Sequence, residues 1–253
     1  MLKLLGTLLR LTPIFPGKNR IARFFLYFFK SKSDLIIHTK SGNYFVPNII
    51  EAIGFELFVN GCYENGLVDL IINETPMNGI FIDVGANIGT ISIPLALKRP
   101  DIKIVSFEAS QKLFQILKNN IQLNNIENIL IENYGVFDKD GEILNFQNDL
   151  TFFGKGKVST DSVGGLNQIT SVESITLDSY FPDNIHGVLK IDVEGAELNV
   201  LKGFQKHLKT NELIIYEDWE DTFSNDLKNS IETSKYLNNL GFDLSYLDNN
   251  FNP

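Results

Sequence analysis

The sequence has few of the residues that build disulfide-linked or zinc-binding proteins. Its 253 residues include one cysteine, Cys62, and three histidines, which lie far apart at positions 38, 186 and 207. A single cysteine excludes an intramolecular disulfide framework, and no cysteine or histidine pair has the spacing of a zinc site. We therefore predict no resident metal ion.

Long apolar runs are also missing from the chain. The N-terminal run from Leu4 to Leu9 is interrupted by Arg10 and then by Pro13 and Pro16. It is too short for the apolar core of a signal peptide or for a membrane span. From this pattern we expect a cytoplasmic protein.

Basic residues are scarce outside the N-terminal part. The net charge is -9, yet residues 1–40 contain eight lysines or arginines and one acid, Asp34. The remainder is acidic and matches nucleic acid poorly, because nucleic-acid binding needs a basic face. No nucleic-acid partner is expected.

Residues 19–30 predict a basic amphipathic helix. Its apolar positions recur at helical spacing, and the opposite stripe is mainly basic: Ile21, Phe24, Phe25 and Phe28 against Arg20, Arg23, Tyr27 and Lys30. Such a helix can contact a membrane peripherally, at its inner face, or pack its phenylalanine face over the main domain, and we favour packing. We predict an N-terminal extension at 1–60, with a small β element in 35–60, and a main domain at 61–253.

The stretch from Ile80 to Thr90 organises the main domain. A β-branched apolar run ends at a turn, Gly85-Ala86-Asn87-Ile88-Gly89, and an apolar segment follows. This order predicts a buried strand, a tight turn and a helix, which together form the first unit of a Rossmann-like, mostly parallel α/β sheet. Glycines at 85 and 89 permit positive φ and close approach of a ligand. Asp83 stands at the carboxyl end of the strand, where such sheets bind ligands.

Glu108 extends this predicted site to the next strand. The turn lacks the G-x-G-x-x-G pattern, so a dinucleotide is not the expected ligand. Glu108 follows the second strand, at residues 103–107, and a carboxylate there accepts hydrogen bonds from both hydroxyls of a ribose. Together with the Gly-rich turn it resembles the S-adenosylmethionine site of class I methyltransferases.

Other segments contribute to the same sheet edge. Glu64 precedes an apolar helical stretch and either reaches the cleft or occupies the first turn of that helix. Asn133 follows the third strand, where an adenine amino group could find an acceptor; a simple loop is the alternative. Residues 151–170, rich in Gly, Ser and Thr, predict a substrate lid or a long loop. The tail from Tyr236 is expected to hold one or two strands.

A second informative stretch runs from Val188 to Glu197. It predicts a fourth buried strand, followed by a helix. Lys190 lies inside this strand, where a charge is costly unless an acid pairs with it. Alternation places Lys190 and Asp192 on the same face. A polar cluster is therefore predicted at the ligand-binding edge.

Both stretches together resemble the FkbM-type methyltransferases. The specific motif is Leu189-Lys190-Ile191-Asp192-Val193-Glu194-Gly195-Ala196-Glu197, and the first is shared with many class I methyltransferases. The resemblance covers roughly residues 60–220. Ala109-Ser110 departs from the usual Pro-Ser or Pro-Asn pair, and Pro94 interrupts the first helix. Neither departure removes a cofactor contact.

The resemblance implies methyl transfer from S-adenosylmethionine to a hydroxyl, often on a saccharide, glycan or polyketide. The predicted cofactor-binding residues are Glu64, Asp83, Gly85, Ala86, Asn87, Gly89, Glu108, Asn133 and Asp192. Asp192 is the first candidate for the general base, with Glu194 and Glu217 behind it. Lys190 would hold this carboxylate, or act as the base itself if its charge were suppressed.

Three alternatives remain open at this level. A divalent metal shared by Asp192 and Glu217 is a second way to activate a hydroxyl. The fold could instead serve a non-catalytic scaffold that uses the basic N-terminal helix on a membrane. The methyl acceptor could also be a nitrogen of a peptide or small amine.

Overall fold

A computed structural model describes residues 2–13, 15–29, 34–148, 157–158, 168–211, 213–217 and 225–248. The N-terminal part contains helices α1 (Leu2–Leu11) and α2 (Lys18–Phe29), the antiparallel hairpin β1 (Leu35–His38) and β2 (Asn43–Val46), and helices α3 (Ala52–Val59) and α4 (Asn65–Glu74). The hairpin agrees with the predicted β element. Residues 52–59 are nevertheless helical, because the Glu51 side chain caps them by accepting from the Ile53 and Gly54 amides.

The main domain alternates strands and helices. Its elements are β3 (Ile80–Val84), α5 (Ser92–Lys98), β4 (Lys103–Phe107), α6 (Gln111–Leu123), β5 (Ile129–Glu132), β6 (Gly135–Val136), β7 (Ile143–Asn148), β8 (Lys157–Val158), β9 (Gln168–Ile175), α7 (Leu177–Tyr180), β10 (Gly187–Ile191), α8 (Glu197–Lys202), β11 (Leu213–Tyr216) and α9 (Asn225–Asn239). Five strands form a parallel sheet in the order β11-β10-β3-β4-β5. The predicted mostly parallel α/β fold is confirmed.

Helices cover both faces of this sheet. Every residue of β3 and of β10 is buried. Ile82 and Val84 pack into one apolar cluster, while Phe81 packs into another on the opposite face. Burial on both faces explains why these strands read as continuous apolar runs rather than as alternating ones. The charges of Asp83 and Lys190 therefore lie in a largely apolar setting.

Two features after β3 depend on local sequence. Pro94 predicts that the helix after the turn is kinked or starts late, and α5 begins at Ser92, so Pro94 lies in its first turn, where no amide donor is needed. Ser110, a residue type that favours this position, caps α6 by accepting from the Leu113 amide. Both helices therefore begin at the carboxyl edge of the sheet, close to the ends of β3 and β4.

The predicted C-terminal strands are wrong within the part of the tail that is described. Tyr236 lies in α9, and residues 242–248 form no strand. Tyr236, Leu237 and Leu240 contact the core at helical spacing, so tertiary packing favours a helix over this polar sequence. Most of the predicted lid at 151–170 lies outside the described residues.

The predicted packing of the phenylalanine face of α2 is also wrong. The residues that face the domain are Lys18, Ala22 and Leu26, whereas Phe24 and Phe25 are exposed. Beside these inward residues, the Arg23 guanidinium lies 4.3 Å from the centre of the Phe55 ring of α3.

Candidate functional site

A cavity of about 350 Å³ opens at the carboxyl edge of the parallel sheet. Its size is within the range of small-molecule sites, roughly 300 to 1,000 Å³. Many predicted site residues line it, namely Glu64, Gly85, Ala86, Asn87, Glu108, Lys190, Asp192 and Glu194. The structure therefore brings together residues that the sequence separates by more than one hundred positions.

Asp83 lies beneath this cavity rather than on its surface. Its side chain is fully buried, and the Ser92 hydroxyl donates to Oδ2 at 2.5 Å. The Lys190 ammonium lies 3.2 Å from the other carboxylate oxygen. Asp83 thus holds the side chains of Ser92 and Lys190 in position. Its direct contact with a cofactor stays a prediction.

Gly85 and Gly89 have the positive φ values expected for the turn, 83° and 90°. A Cβ at Gly85 would collide with the Asp192 carbonyl, and one at Gly89 would press on Leu117 and Ile93. The close approach that these glycines permit is therefore between elements of the protein. In this way the turn after β3 and the end of β10 are held together.

Glu108 is buried at the end of β4 and faces the cavity. Its two carboxylate oxygens accept from the Asn87 and Ser110 amides, each at 2.8 Å. Burial raises the pKa of Glu108 to about 7, although the two amides act in the opposite direction. Each oxygen keeps a lone pair for a further donor.

Asn133 supports this part of the site from behind. Its Nδ2 donates to the carbonyls of Glu108, at 2.7 Å, and Ala109, at 3.1 Å. These bonds hold the chain that follows β4. Direct contact of Asn133 with an adenine stays a prediction.

Lys190 lies between two carboxylates. Its Nζ is 3.2 Å from Asp83 Oδ1, 3.3 Å from Asp192 Oδ2 and 3.5 Å from the Gly85 carbonyl oxygen. Burial alone would lower the pKa of Lys190, but Asp83, Asp192 and Glu64 together raise it above the ordinary lysine value. The side chain therefore carries its charge throughout the neutral range.

Asp192 and Glu217 form a coupled pair at the cavity. Burial and the hydrogen bond to Asp192 raise the pKa of Glu217 to about 9. Burial also acts to raise the pKa of Asp192, but the Lys190 charge and the hydrogen bond with Glu217 bring it below the usual range. At neutral pH the pair consequently holds one proton and one negative charge between its two carboxyl groups.

Glu194 stands beside this pair in a left-handed conformation, with φ of 54°. Oxygen atoms of Asp192, Glu194 and Glu217 lie within 4.8 Å of one another. Three carboxylates at this separation suit a divalent cation, so a metal ion shared by Asp192 and Glu217 stays a prediction beside the hydrogen bond that joins the pair.

Glu64 and Tyr63 close the opposite wall. The Glu64 side chain makes no capping bond to α4 and lines the cavity, which is the first of its two predicted positions. Its backbone is left-handed, with φ of 45°. Burial raises the pKa of Glu64, and Lys190 partly offsets this. Sequence reasoning missed Tyr63 and also Tyr134, which lines the cavity from the loop after β5. Neither tyrosine belongs to a motif that could have marked it.

Comparison with known proteins gives a family match over most of the main domain. The family described as Methyltransferase FkbM domain matches residues 83–244. This region contains the turn after β3, Glu108 and the whole segment from Lys190 to Glu217. Glu64 and Tyr63 lie before it.

Two relatives illustrate the range of similar proteins. Methyltransferase sdnD of Sordaria araneosa is 28% identical over 241 residues, which cover 80% of this chain and 86% of that protein. Hexuronic acid methyltransferase AglP of Haloferax volcanii is 28% identical over 154 residues, covering 61% of this chain and 62% of that protein.

Two solved structures are similar to this chain at low identity. SMU.1697c of Streptococcus mutans, in complex with SAH, is 12% identical, with a TM-score of 0.42 over 69% of this chain and 80% of that one. Precorrin-6y C5,15-methyltransferase of Geobacter metallireducens is 14% identical, with a TM-score of 0.41 over 67% and 68%.

Proposed function

Because the chain belongs to the FkbM family of S-adenosylmethionine-dependent methyltransferases, we propose that it transfers the methyl group to a hydroxyl of a saccharide or similar polyhydroxyl acceptor. The observation that carries this proposal is the ionised Asp192 beside Lys190, at the edge of a cavity whose other side presents Glu108. One half of the cavity is thus suited to the cofactor and the other to an acceptor hydroxyl.

The residues around Glu108 fit the cofactor. A ribose offers two vicinal hydroxyl donors, and Glu108 has one lone pair left on each carboxylate oxygen. Hydrogen bonds to a charged acceptor contribute about 1.5 to 3 kcal/mol each. When bound, the cofactor supplies an electrophilic sulfonium methyl group. Gly85, Ala86 and Asn87 would lie against it from the turn after β3.

Asp192 is suited to orient the acceptor. As a carboxylate it would accept a hydrogen bond from the hydroxyl and take up its proton while the oxygen bonds to the methyl carbon, the carbon–sulfur bond breaks and the cofactor leaves as a neutral thioether. Orientation of this kind accounts for much of an enzyme's rate, up to about 7 to 11 kcal/mol, and a general base adds about 10² to 10⁴ in rate.

Lys190 is suited to positioning rather than to proton removal. Its raised pKa keeps the ammonium protonated, so it has no lone pair to act as a base. The same ammonium holds Asp192 in place and keeps its carboxylate ionised. Of the two roles predicted for Lys190, the structure therefore favours holding the carboxylate.

The acceptor class rests on chemistry and on one relative. A protein 28% identical to this chain is named a hexuronic acid methyltransferase. A hexuronic acid carries hydroxyls and a carboxylate, so methylation can give an ether or an ester. Lys190 lies behind Asp192, and the cavity itself presents carboxylates. These carboxylates would repel a carboxylate at the methyl-accepting position and so favour a neutral hydroxyl there.

The test is methyl transfer from labelled S-adenosylmethionine to separated saccharide, glycolipid, peptide and amine fractions. We expect label in a saccharide or glycolipid fraction, stable to the mild base that cleaves methyl esters. An Asp192→Asn variant that still binds the cofactor in calorimetry serves as the control and should transfer little label. Base-labile product, or label on an amine or peptide, would contradict the hydroxyl assignment.

A further inference from the structure

The N-terminal helix α1 has more apolar surface than the domain covers. One stripe, Leu2, Leu5 and Leu9 with Gly6, packs toward the core, where Gly6 meets the Phe58 ring of α3. A second stripe at helical spacing, Leu4, Leu8 and Leu11, is more than half exposed. A helix that is apolar on two faces calls for a second apolar environment.

Helix α2 also exposes large apolar side chains. Its inward residues are Ala22 and Leu26, and its outward ones include Ile21, Phe24 and Phe25. Phe15, in the turn between the helices, is exposed as well. A soluble monomer seldom leaves so many large apolar side chains in water within so short a segment. We name Leu4, Leu8, Leu11, Phe15, Ile21, Phe24 and Phe25 the N-terminal apolar surface.

The position of this surface is fixed by polar contacts to the domain. Arg10 donates to the Phe58 carbonyl at 2.9 Å, and Asn19 donates to Glu56 at 3.3 Å. Lys18 is buried and donates to the Thr12 carbonyl at 3.1 Å, closing the turn between the helices. These hydrogen bonds consequently hold α1 and α2 in an orientation that directs their exposed stripes toward solvent.

Charge indicates what covers this surface. Residues 1–29 contain five basic residues and no acid, in a chain of net charge -9. Lys3, Arg20 and Arg23 are exposed among the apolar side chains. Large apolar groups interspersed with cations match the interface of an anionic bilayer, where apolar side chains enter the acyl boundary and cations meet the headgroups.

The two helices are suited to lie on a membrane. In the described part of the chain, no helix has both the length and the apolar character of a bilayer span. With 10 and 12 residues, α1 and α2 have the size of interfacial elements. We propose that the N-terminal apolar surface docks this protein onto an anionic membrane. The proposal is independent of the acceptor.

Vesicle flotation tests this proposal on the full chain. We expect co-flotation with phosphatidylglycerol-containing vesicles, weak binding to pure phosphatidylcholine vesicles, and weakening by salt. Lys3→Glu with Arg20→Glu should lower the partition coefficient at least about tenfold, since each basic residue near the surface contributes a comparable factor. Lys118→Glu, an exposed charge reversal on α6, is the matched control and should change little.

A second variant tests the apolar part separately. Leu4→Ser with Leu8→Ser should abolish flotation, whereas Met77→Ser with Ile143→Ser, which removes two apolar side chains elsewhere that are at least as exposed, should preserve it. Circular dichroism and cofactor calorimetry establish that each variant is folded. At equal ionic strength, inorganic phosphate should displace no more protein than sodium chloride does if the bilayer itself is the ligand.

Three results would overturn the proposal. They are absence of the intact chain from the floating fraction, equal loss in the control variants, and release by inorganic phosphate that exceeds release by sodium chloride at equal ionic strength. Formation of dimers through the same leucines without vesicle binding would assign this surface to a second copy of the chain instead.

Discussion

Lys190 and Asp83 lie directly opposite each other in the register of the neighbouring strands β10 and β3, with their charged atoms 3.2 Å apart. Both side chains are almost completely buried. The pair therefore joins the two central strands at the place where the cavity begins, and it links the sheet to Asp192 through the same ammonium.

Removing the lysine charge should destabilise the fold. Lys190→Met leaves Asp83 and Asp192 as uncompensated negative charges, and breaking such a buried pair costs about 3 to 5 kcal/mol. Urea unfolding measures the change in the free energy of unfolding. The double variant Lys190→Met with Asp83→Asn should recover part of it, and an equal loss in both would contradict a direct pairing.

Adding a methyl group at Gly85 should lower the free energy of unfolding more than adding one at an open turn with similar φ. Gly85→Ala places a Cβ against the Asp192 carbonyl, while Gly141→Ala, with φ of 74°, meets no atom within 4 Å. We expect Gly141→Ala to cost about 1 kcal/mol from backbone strain and Gly85→Ala at least about 1 to 3 kcal/mol more. Thermal unfolding of both variants checks the difference, and similar losses would argue against the close approach.

Cofactor affinity should rise with pH through neutrality. The pKa of Glu108 is raised to about 7, so its carboxyl is largely protonated near pH 6 and ionised near pH 8. Since the ionised form accepts from the ribose, S-adenosylmethionine should bind about tenfold more tightly at about pH 8 than at about pH 6, with proton release. Calorimetry in two buffers of different ionisation enthalpy measures both effects.

Glu108→Gln should remove this pH dependence and lower the affinity by about tenfold to a hundredfold, because the charged acceptor is lost. Glu132→Gln is the matched control, at the end of the adjacent strand β5, where the carboxylate accepts from Tyr180 instead of facing the cavity. A persistent pH dependence in Glu108→Gln would assign the titration to another group.

The Asp192–Glu217 pair should set an alkaline limit to activity. The pKa of Glu217 is raised to about 9, so above this value it ionises, stops donating to Asp192 and repels it. We expect kcat to fall above about pH 9. Glu217→Gln keeps a donor and cannot ionise, so its profile should remain flat there, while Asp192→Asn should lose about 10² to 10⁴ in kcat at all pH values. An unchanged alkaline limb in Glu217→Gln would contradict this origin.

Sequence patterns predicted the elements of the parallel sheet because buried strands and glycine turns are local signals. They also predicted that Lys190 needs an acid. Asp192, predicted on the same face, is one such acid, 3.3 Å from the Lys190 ammonium. That Asp83 is a second acid could not be predicted, because its pairing depends on the register between residues 107 positions apart in sequence. The exposed face of α2 was missed for a related reason. The amphipathic pattern predicts which residues share a stripe of the helix, but which stripe packs on the domain depends on the neighbouring helix α3.

Helix α3 has a consequence for how this protein can diverge from its relatives. Its first residues, Ala52 and Ile53, line the cavity together with Tyr63 and Glu64, and all four precede the region that matches the family. The same helix contacts α1 and α2 through Phe58 and Phe55. Part of the cavity wall and the contacts of both N-terminal helices thus depend on one short helix that lies outside the segment with Glu108 and Asp192. A substitution in α3 can therefore change the shape of the cavity and the seating of α1 and α2 together, while the residues proposed for methyl transfer stay unaltered.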